Sequence, residues 1–310
     1  MFCKYTFWIS VTLAFTMVLA ACTHGKKPEE HSQAGNYQFA ETKELVRFVE
    51  DAAKLLSREG TAAYERFREP GSRWCSPSRY LFAYDLHGIC CFHPMIGDLV
   101  GKDLSGMKDV NGKPVISEII RIASNPDHPS GWVHYLWAEG DEISPRWKSS
   151  YIMKVSLPNG EVLALGSGIY GIKTEKVFIT TIVDSASALL RQQGLNAIST
   201  LLNNSSLFMF KDTYIFMMDE HGYAIADPSF PGSPRRDLHQ LKDALGRPII
   251  EMMRDRLSQQ DSAWVTYMWV KANESLPSRK LAYVRKLTID GKTYILGSSY
   301  FLEKPIWMKL

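Results

Sequence analysis

An excess of charge of either sign is the first thing this sequence lacks. Its 36 lysines and arginines stand against 33 aspartates and glutamates over 310 residues, which gives no electrostatic footprint for a nucleic-acid groove. The Arg235-Arg236 pair reads as a solvated loop rather than a phosphate clamp. Catalytic signatures are missing as well. There is no Gly-x-Ser-x-Gly elbow, no His-Glu-x-x-His, no Cys-x-x-Cys and no phosphate-cradling glycine loop. The eight histidines are scattered. No constellation for nucleophilic or metal catalysis emerges, so the chain reads as a non-enzyme, with no cofactor and no metal site. An apolar run of membrane-spanning length is also absent. The longest, 5–19, stops short of the roughly twenty residues a spanning helix needs.

That short run belongs to a targeting segment. Lys4 supplies the positive start, the apolar stretch follows, and Ala20 and Ala21 lead to Cys22. The ending Leu19-Ala20-Ala21-Cys22 resembles a bacterial lipobox, which implies cleavage before Cys22 and lipidation of its thiol. The other reading is an ordinary secretory signal with a chance cysteine. Several acyl chains on one cysteine anchor a protein stably without a spanning helix. Residues 23–40 are polar, lack a hydrophobic period and read as a tether. The expected location is the cell envelope, facing the periplasm or exterior. Thr23 stands where an inner-membrane retention signal would carry Asp, which favours the outer membrane. In that oxidising setting Cys75, Cys90 and Cys91 remain; Cys90 and Cys91 point to opposite faces of a strand. Whether Cys75 pairs with either stays open.

The rest of the chain is organised around a stretch it contains twice. YLFAYDLHGICCFHP at 80–94 is answered by YIFMMDEHGYAIADP at 214–228, an offset of 134. Aromatic and β-branched residues run into a polar-plus-glycine corner and out again, the pattern of a β-hairpin. The echo continues upstream, VEDAAKLLSREG against VDSASALLRQQG, and downstream, DLSGMKDVNGKPVI against DLHQLKDALGRPII. GWVHYLW at 131–137 faces AWVTYMW at 263–269, and LGSGIY at 165–170 faces LGSSYF at 296–301. A duplicated domain of about 130 residues explains this.

Apolar residues at helical spacing predict one long helix over 41–68 and its twin over 174–202. A shorter helix in each half opens at Pro114 and Pro248. Strands are expected at 131–138, 148–156 and 161–170, and at 263–271, 280–289 and 292–301. Asn159-Gly160 and Asp290-Gly291 are the hairpin turns joining the last two of each set. Each half is therefore α+β, a long helix with an antiparallel sheet of about five strands. The domains expected are 41–171 and 172–303.

This element order carries a resemblance. Tyr80-x-Phe82, Asp85-x-x-Gly88, His93-Pro94 and Lys108-Asp109 with Asn111-Gly112-Lys113-Pro114 lie in the first half. Gly131-Trp132-Val133, Tyr135, Trp137, Lys148-x-x-Tyr151 and Gly166-x-Gly168-x-Tyr170 follow. Together they resemble the Cache domain, the PAS-like extracytoplasmic sensor module, in tandem form over 41–301. The second half departs from the pattern, with Asp227 for His and Ser299 for Gly. The resemblance implies a small metabolite, often a short carboxylate, bound in a pocket over the sheet.

A carboxylate in a partly dry pocket needs donors, and a cation is the most effective. Lys148 and Tyr151 offer an ammonium and a hydroxyl, Tyr135 and Trp137 alternate onto one strand face, and His93 ends the hairpin. Positions 148 and 151 lie on opposite faces of a regular strand, so both pointing inward requires a bulge, or Lys148 in the preceding loop. Tyr267, Trp269, Lys280 and Tyr283 are the second-half counterparts. The bland alternatives are a solvated edge lysine, core packing for the aromatics and a turn role for His93. Trp132 and Trp264, in the opposite phase, belong to packing; Asp85, Asp219 and Asp109 with Asn111 are turn-formers. The first half is the expected binder, because Asp227 would repel an anion.

Two functions from different classes follow. One is a lipid-anchored protein that captures a small carboxylate and presents it to a membrane sensor or transporter. No signalling module follows in this sequence, so its output is expected to pass through that partner. The other is a structural or protein-interaction lipoprotein with non-binding domains.

Overall fold

The computed structural model describes residues 32–138, 144–203, 205–228, 235–271 and 274–302. The expected leader 1–22 with Cys22, and residues 23–31 of the expected tether, lie outside them. The helix α1 (Ala40–Glu59) buries Leu45, Val46, Val49, Ala52 and Leu56 along one stripe. It does not run on to residue 68. Gly60 takes φ +62° with ψ −152°, a region that a side chain excludes, and a 3-10 turn separates α1 from α2 (Ala63–Arg68). Gly194 repeats the break at φ +61° between α4 (Lys176–Gln193) and α5 (Ile198–Leu202). The single long helix expected in each half is thus two helices, divided at the glycine that closes each copy.

The first sheet contains β1 (Cys75–Ser76), β2 (Arg79–Asp85), β3 (Cys90–Phe92), β4 (Ser130–Trp137), β5 (Arg146–Ser156) and β6 (Val162–Tyr170). Its order is β1-β2-β6-β5-β4, with β3 paired to β2. Helix α3 (Val115–Ala123) begins after Pro114. The second sheet has β7 (Ile215–Asp219), β8 (Ala224–Ala226), β9 (Ser262–Val270), β10 (Pro277–Ile289) and β11 (Lys292–Phe301), in the order β8-β7-β11-β10-β9. Helix α6 (Ile249–Ser258) follows Pro248. Both sheets are antiparallel, and the two-residue β1 is what the sequence left unseen.

Each sheet lies between two helices, and side-chain alternation divides its residues between them. Leu81 and Ala83 pack with α1, while Phe82 and Tyr84 pack with α3. In the second sheet Ile215 and Met217 meet α4, and Met218 meets α6. The hairpin corners are Asp-built: Asp85 Oδ1 accepts from the amides of His87 and Ile89, and Asp219 Oδ1 from those of His221 and Tyr223.

Residues 32–39 differ from a tether. The Glu50 carboxylate accepts from Ser32 Oγ and the Gln33 amide, and Ala34 is buried. Ser32 Oγ in turn accepts from the Ala34 amide at 3.2 Å, capping the short turn that follows. Glu175, at the start of α4, accepts from the amides of Gln38 and Phe39 at 2.8 Å each, placing a carboxylate at the N-terminus of α1. Around this tie, Tyr37, Trp132, Phe178 and Phe210 pack as an aromatic cluster joining the halves. Cys75, Cys90 and Cys91 are free thiols. Among the described residues no helix is long and apolar enough to cross a membrane.

Candidate functional site

The α3 face of the first sheet carries two cross-strand rows. Register places Tyr135 opposite Lys148 and Lys148 opposite Tyr170. In the next row Val133 stands opposite Ser150, and Ser150 opposite Gly168, beside Tyr80 on β2. Lys148 is 2% exposed. Its Nζ donates to Tyr80 Oη at 2.9 Å and lies 4.5 Å from the Tyr80 ring and 5.1 Å from that of Tyr170. An ammonium held against two ring faces gains cation–π attraction that grows with desolvation.

Tyr135 Oη bonds Ser150 Oγ at 2.9 Å, and the Trp137 ring meets Tyr135 edge-on at 5.7 Å. His93 sits 5.1 Å from the Tyr80 ring. The Ile96 amide donates to His93 Nδ1, which leaves the proton of a neutral ring on Nε2 as a donor. Burial, and then the charge of Lys148, push His93 down to about 4, so it is neutral at ordinary pH. Burial also raises Tyr80 and Tyr135, keeping both hydroxyls protonated.

Of the predicted residues, the structure brings His93, Tyr135, Trp137 and Lys148 to one face. Tyr151 is not with them. Pairing of β5 runs from Lys148 to Ser156 without a register shift, so no bulge turns it inward. It packs in the α1 core against Trp132 at 5.3 Å. Tyr283 is likewise on the α4 side of its sheet, against Trp264 at 5.1 Å. Period-two alternation excludes both from the site. The sequence does not single out Tyr80, Ser150 or Tyr170 for the site; alternation signals only Ser150, two residues from Lys148 on the same strand, whereas Tyr80 and Tyr170 reach it through strand order.

In the second half Tyr267, Trp269 and Lys280 line a cavity of about 60 Å³ with Tyr214, Asp227 and Ser299. Lys280 is 4% exposed, 3.5 Å from Tyr214 Oη, with the rings of Tyr214 and Phe301 at 5.1 and 5.0 Å. Burial lowers its ammonium, against the carboxylates of Asp212 and Asp227. The tyrosine hydroxyl bond persists, but its partner changes strand: Ser150 beside Gly168 becomes Ala282 beside Ser299, which bonds Tyr267. A side chain at 168 would put Cβ 2.2 Å from Ser150 Oγ and 3.0 Å from Lys148 Cε. Glycine there is what admits both Ser150 and the lysine stem.

Comparison with known proteins places these observations. The Cache-domain family profile matches residues 71–304. The methyl-accepting chemotaxis protein McpP of Pseudomonas putida is 29% identical over 136 residues, 44% of this chain and 24% of that receptor. The chain therefore spans about a quarter of the length of the curated receptor it matches. A solved periplasmic sensor domain of a chemotaxis protein is 29% identical, with a TM-score of 0.32, covering 42% of this chain and 90% of that one. A Cache chemosensory domain solved for carboxylic acid recognition is 24% identical, with a TM-score of 0.35, over 43% of this chain and 95% of that one.

Gly168→Ser is expected to destabilise the protein by about 1–3 kcal/mol through overpacking, and Ser150→Ala with Gly168→Ser to recover most of it. Denaturant unfolding of both variants checks this. His93 binds its proton more weakly folded than unfolded, so on this group's account stability is full above its unfolded value of 6.5. It falls as pH drops from there toward 4. Midpoints of urea unfolding across that window should fall less steeply for His93→Gln than for the wild type.

Proposed function

The chain belongs to the Cache-domain family of extracytoplasmic, non-enzymatic sensor modules, and on that premise we propose that it binds a short organic carboxylate while held to the membrane by lipid on Cys22. In this reading residues 41–171 and 172–303 are the two Cache domains, the first being the binder. The bound state is passed to a membrane sensor or transporter, and the outer membrane is the favoured location.

The observation that carries the reading is Lys148. Its ammonium is enclosed on the face that also carries Tyr80, Tyr135, Trp137 and His93. A carboxylate arriving there meets a cation in a low-dielectric setting, where a charge-assisted hydrogen bond is at its strongest. Neutral His93 offers a second donor, and Trp137 an apolar wall for a short alkyl chain. The second site keeps the lysine but adds the Asp227 carboxylate, which disfavours a simple anion. A ligand that carries an amine beside its acid suits that cavity better.

Two measurements test this. In thermal unfolding with two- to four-carbon mono- and dicarboxylates, one acid should raise the wild-type midpoint. Lys148→Met should weaken that acid at least tenfold, about 1.4 kcal/mol, and Lys280→Met should change its affinity less than about threefold. No response to any acid, or a response indifferent to Lys148→Met, would favour the non-binding alternative. For the anchor, protein extracted from cell envelopes should carry acyl mass on Cys22. Cys22→Ser should leave the membrane fraction; an unmodified Cys22 would remove the lipid claim.

A further inference from the structure

Lys113 and Arg247 are twins in the repeat, 134 residues apart, yet they do different things. Arg247 folds back onto its own turn, its Nε and Nη2 donating to Asp243 Oδ2 at 2.9 and 2.6 Å, with the side chain 42% exposed. Lys113 is 1% exposed and leaves its turn. Its Nζ donates to the His134 carbonyl at 2.6 Å and to the Met209 carbonyl at 2.9 Å, with the Trp147 ring 5.1 Å away. One of these carbonyls belongs to β4 of the first sheet. The other belongs to the segment that leads into β7 of the second.

One end of this bridge adjoins a site residue, and the other leads to one through a short turn. Tyr135 is next to His134, and Asp109 Oδ2 accepts from the Leu136 amide at 3.0 Å. The 109–113 turn thus holds the backbone on either side of Tyr135. The His134 imidazole stacks on Phe210, ring centroids 4.0 Å apart, one residue past Met209. Phe210 and Thr213 exchange backbone hydrogen bonds at 3.1 and 2.9 Å, closing a turn that delivers Tyr214 to the cavity of the second half. Displacing Tyr135 therefore strains a short chain of contacts that ends at Tyr214.

We propose that Lys113 is a positioning residue that ties the Tyr135 wall of the first site to the Tyr214 wall of the second, so that the two sites are felt by one another. The proposal rests on the reading of the first site as a ligand site for its biological use, but the contact chain is testable without a ligand. An ammonium shared between two buried carbonyls makes two charge-assisted bonds, and removing it orphans both acceptors. Burial lowers the Lys113 amine to about 8, opposed by the carboxylates of Asp109 and Glu118, so the ammonium form prevails at neutral pH.

The test is a mutant cycle read by amide hydrogen exchange on the full chain, with Tyr135→Leu standing in for ligand-driven displacement. In the Lys113 background, Tyr135→Leu should raise exchange across 205–219 about tenfold. In the Lys113→Met background the further rise should be less than twofold. Exchange in the α1 core should respond additively, and Arg247→Met should leave the Tyr135→Leu effect intact. Should the Met variant not fold, Lys113→Gln enters the same cycle. Equal effects of Tyr135→Leu in both backgrounds would overturn the proposal, as would an Arg247→Met result matching that of Lys113→Met. Coupling without acid binding would remove the ligand reading alone, and acid binding without coupling would remove this one alone.

Discussion

Enclosing an ammonium in the middle of a β-sheet is the constraint on which the rest of this structure depends. Taking a lysine charge out of water costs several kcal/mol unless its surroundings answer it. At Lys148 the answer comes from the sheet itself, because register sets Tyr135 and Tyr170 on either side and Tyr80 within hydrogen-bond reach. That arrangement requires the opposite face to be filled by something else, and α1 fills it with Leu45, Val49, Ala52 and Leu56. It requires glycine at 168, where any side chain would meet Ser150 and the lysine stem. It also requires β4, an edge strand, to be held in place, which Asp109 and Lys113 do through its backbone.

The duplication shows which parts of this solution are scaffold and which are chemistry. Both halves keep the lysine, the tyrosine opposite it on the edge strand, and the tryptophan two residues on. The hydroxyl that engages that tyrosine is free to move, from Ser150 on β5 to Ser299 on β11, provided the position across from it shrinks. His93 gives way to Asp227 and Tyr170 to Phe301, so the field around each lysine differs while its enclosure does not. One fold thus presents two unlike surroundings for a buried lysine.

Much of the architecture is legible in the sequence, because the repeat gives every element two readings. The hairpins, the proline-led helices and the closing meanders lie near their expected positions. The helix breaks were missed although their sign was present: Gly60 and Gly194 end the two matching segments, and helical periodicity outweighed a single glycine. For the site, alternation alone separated Lys148 from Tyr151, and the hope of a bulge was an appeal against it that the unbroken register refuses. Tyr80 and Tyr170 come from strands distant in sequence, and only strand order brings them to Lys148. Lys113 stands in the sequence only within the Asn111-Gly112-Lys113-Pro114 run, and its reach to Met209 depends on how the halves pack.

The central claim is that the first sheet's enclosed ammonium serves an acid. Native mass spectrometry of the full chain, isolated gently from its own cells, tests it most directly. The proposed function predicts one small carboxylate bound per chain, lost when Lys148 is replaced by Met. A chain that emerges empty and takes up no acid, or that carries an equally occupied ligand after the replacement, would contradict it.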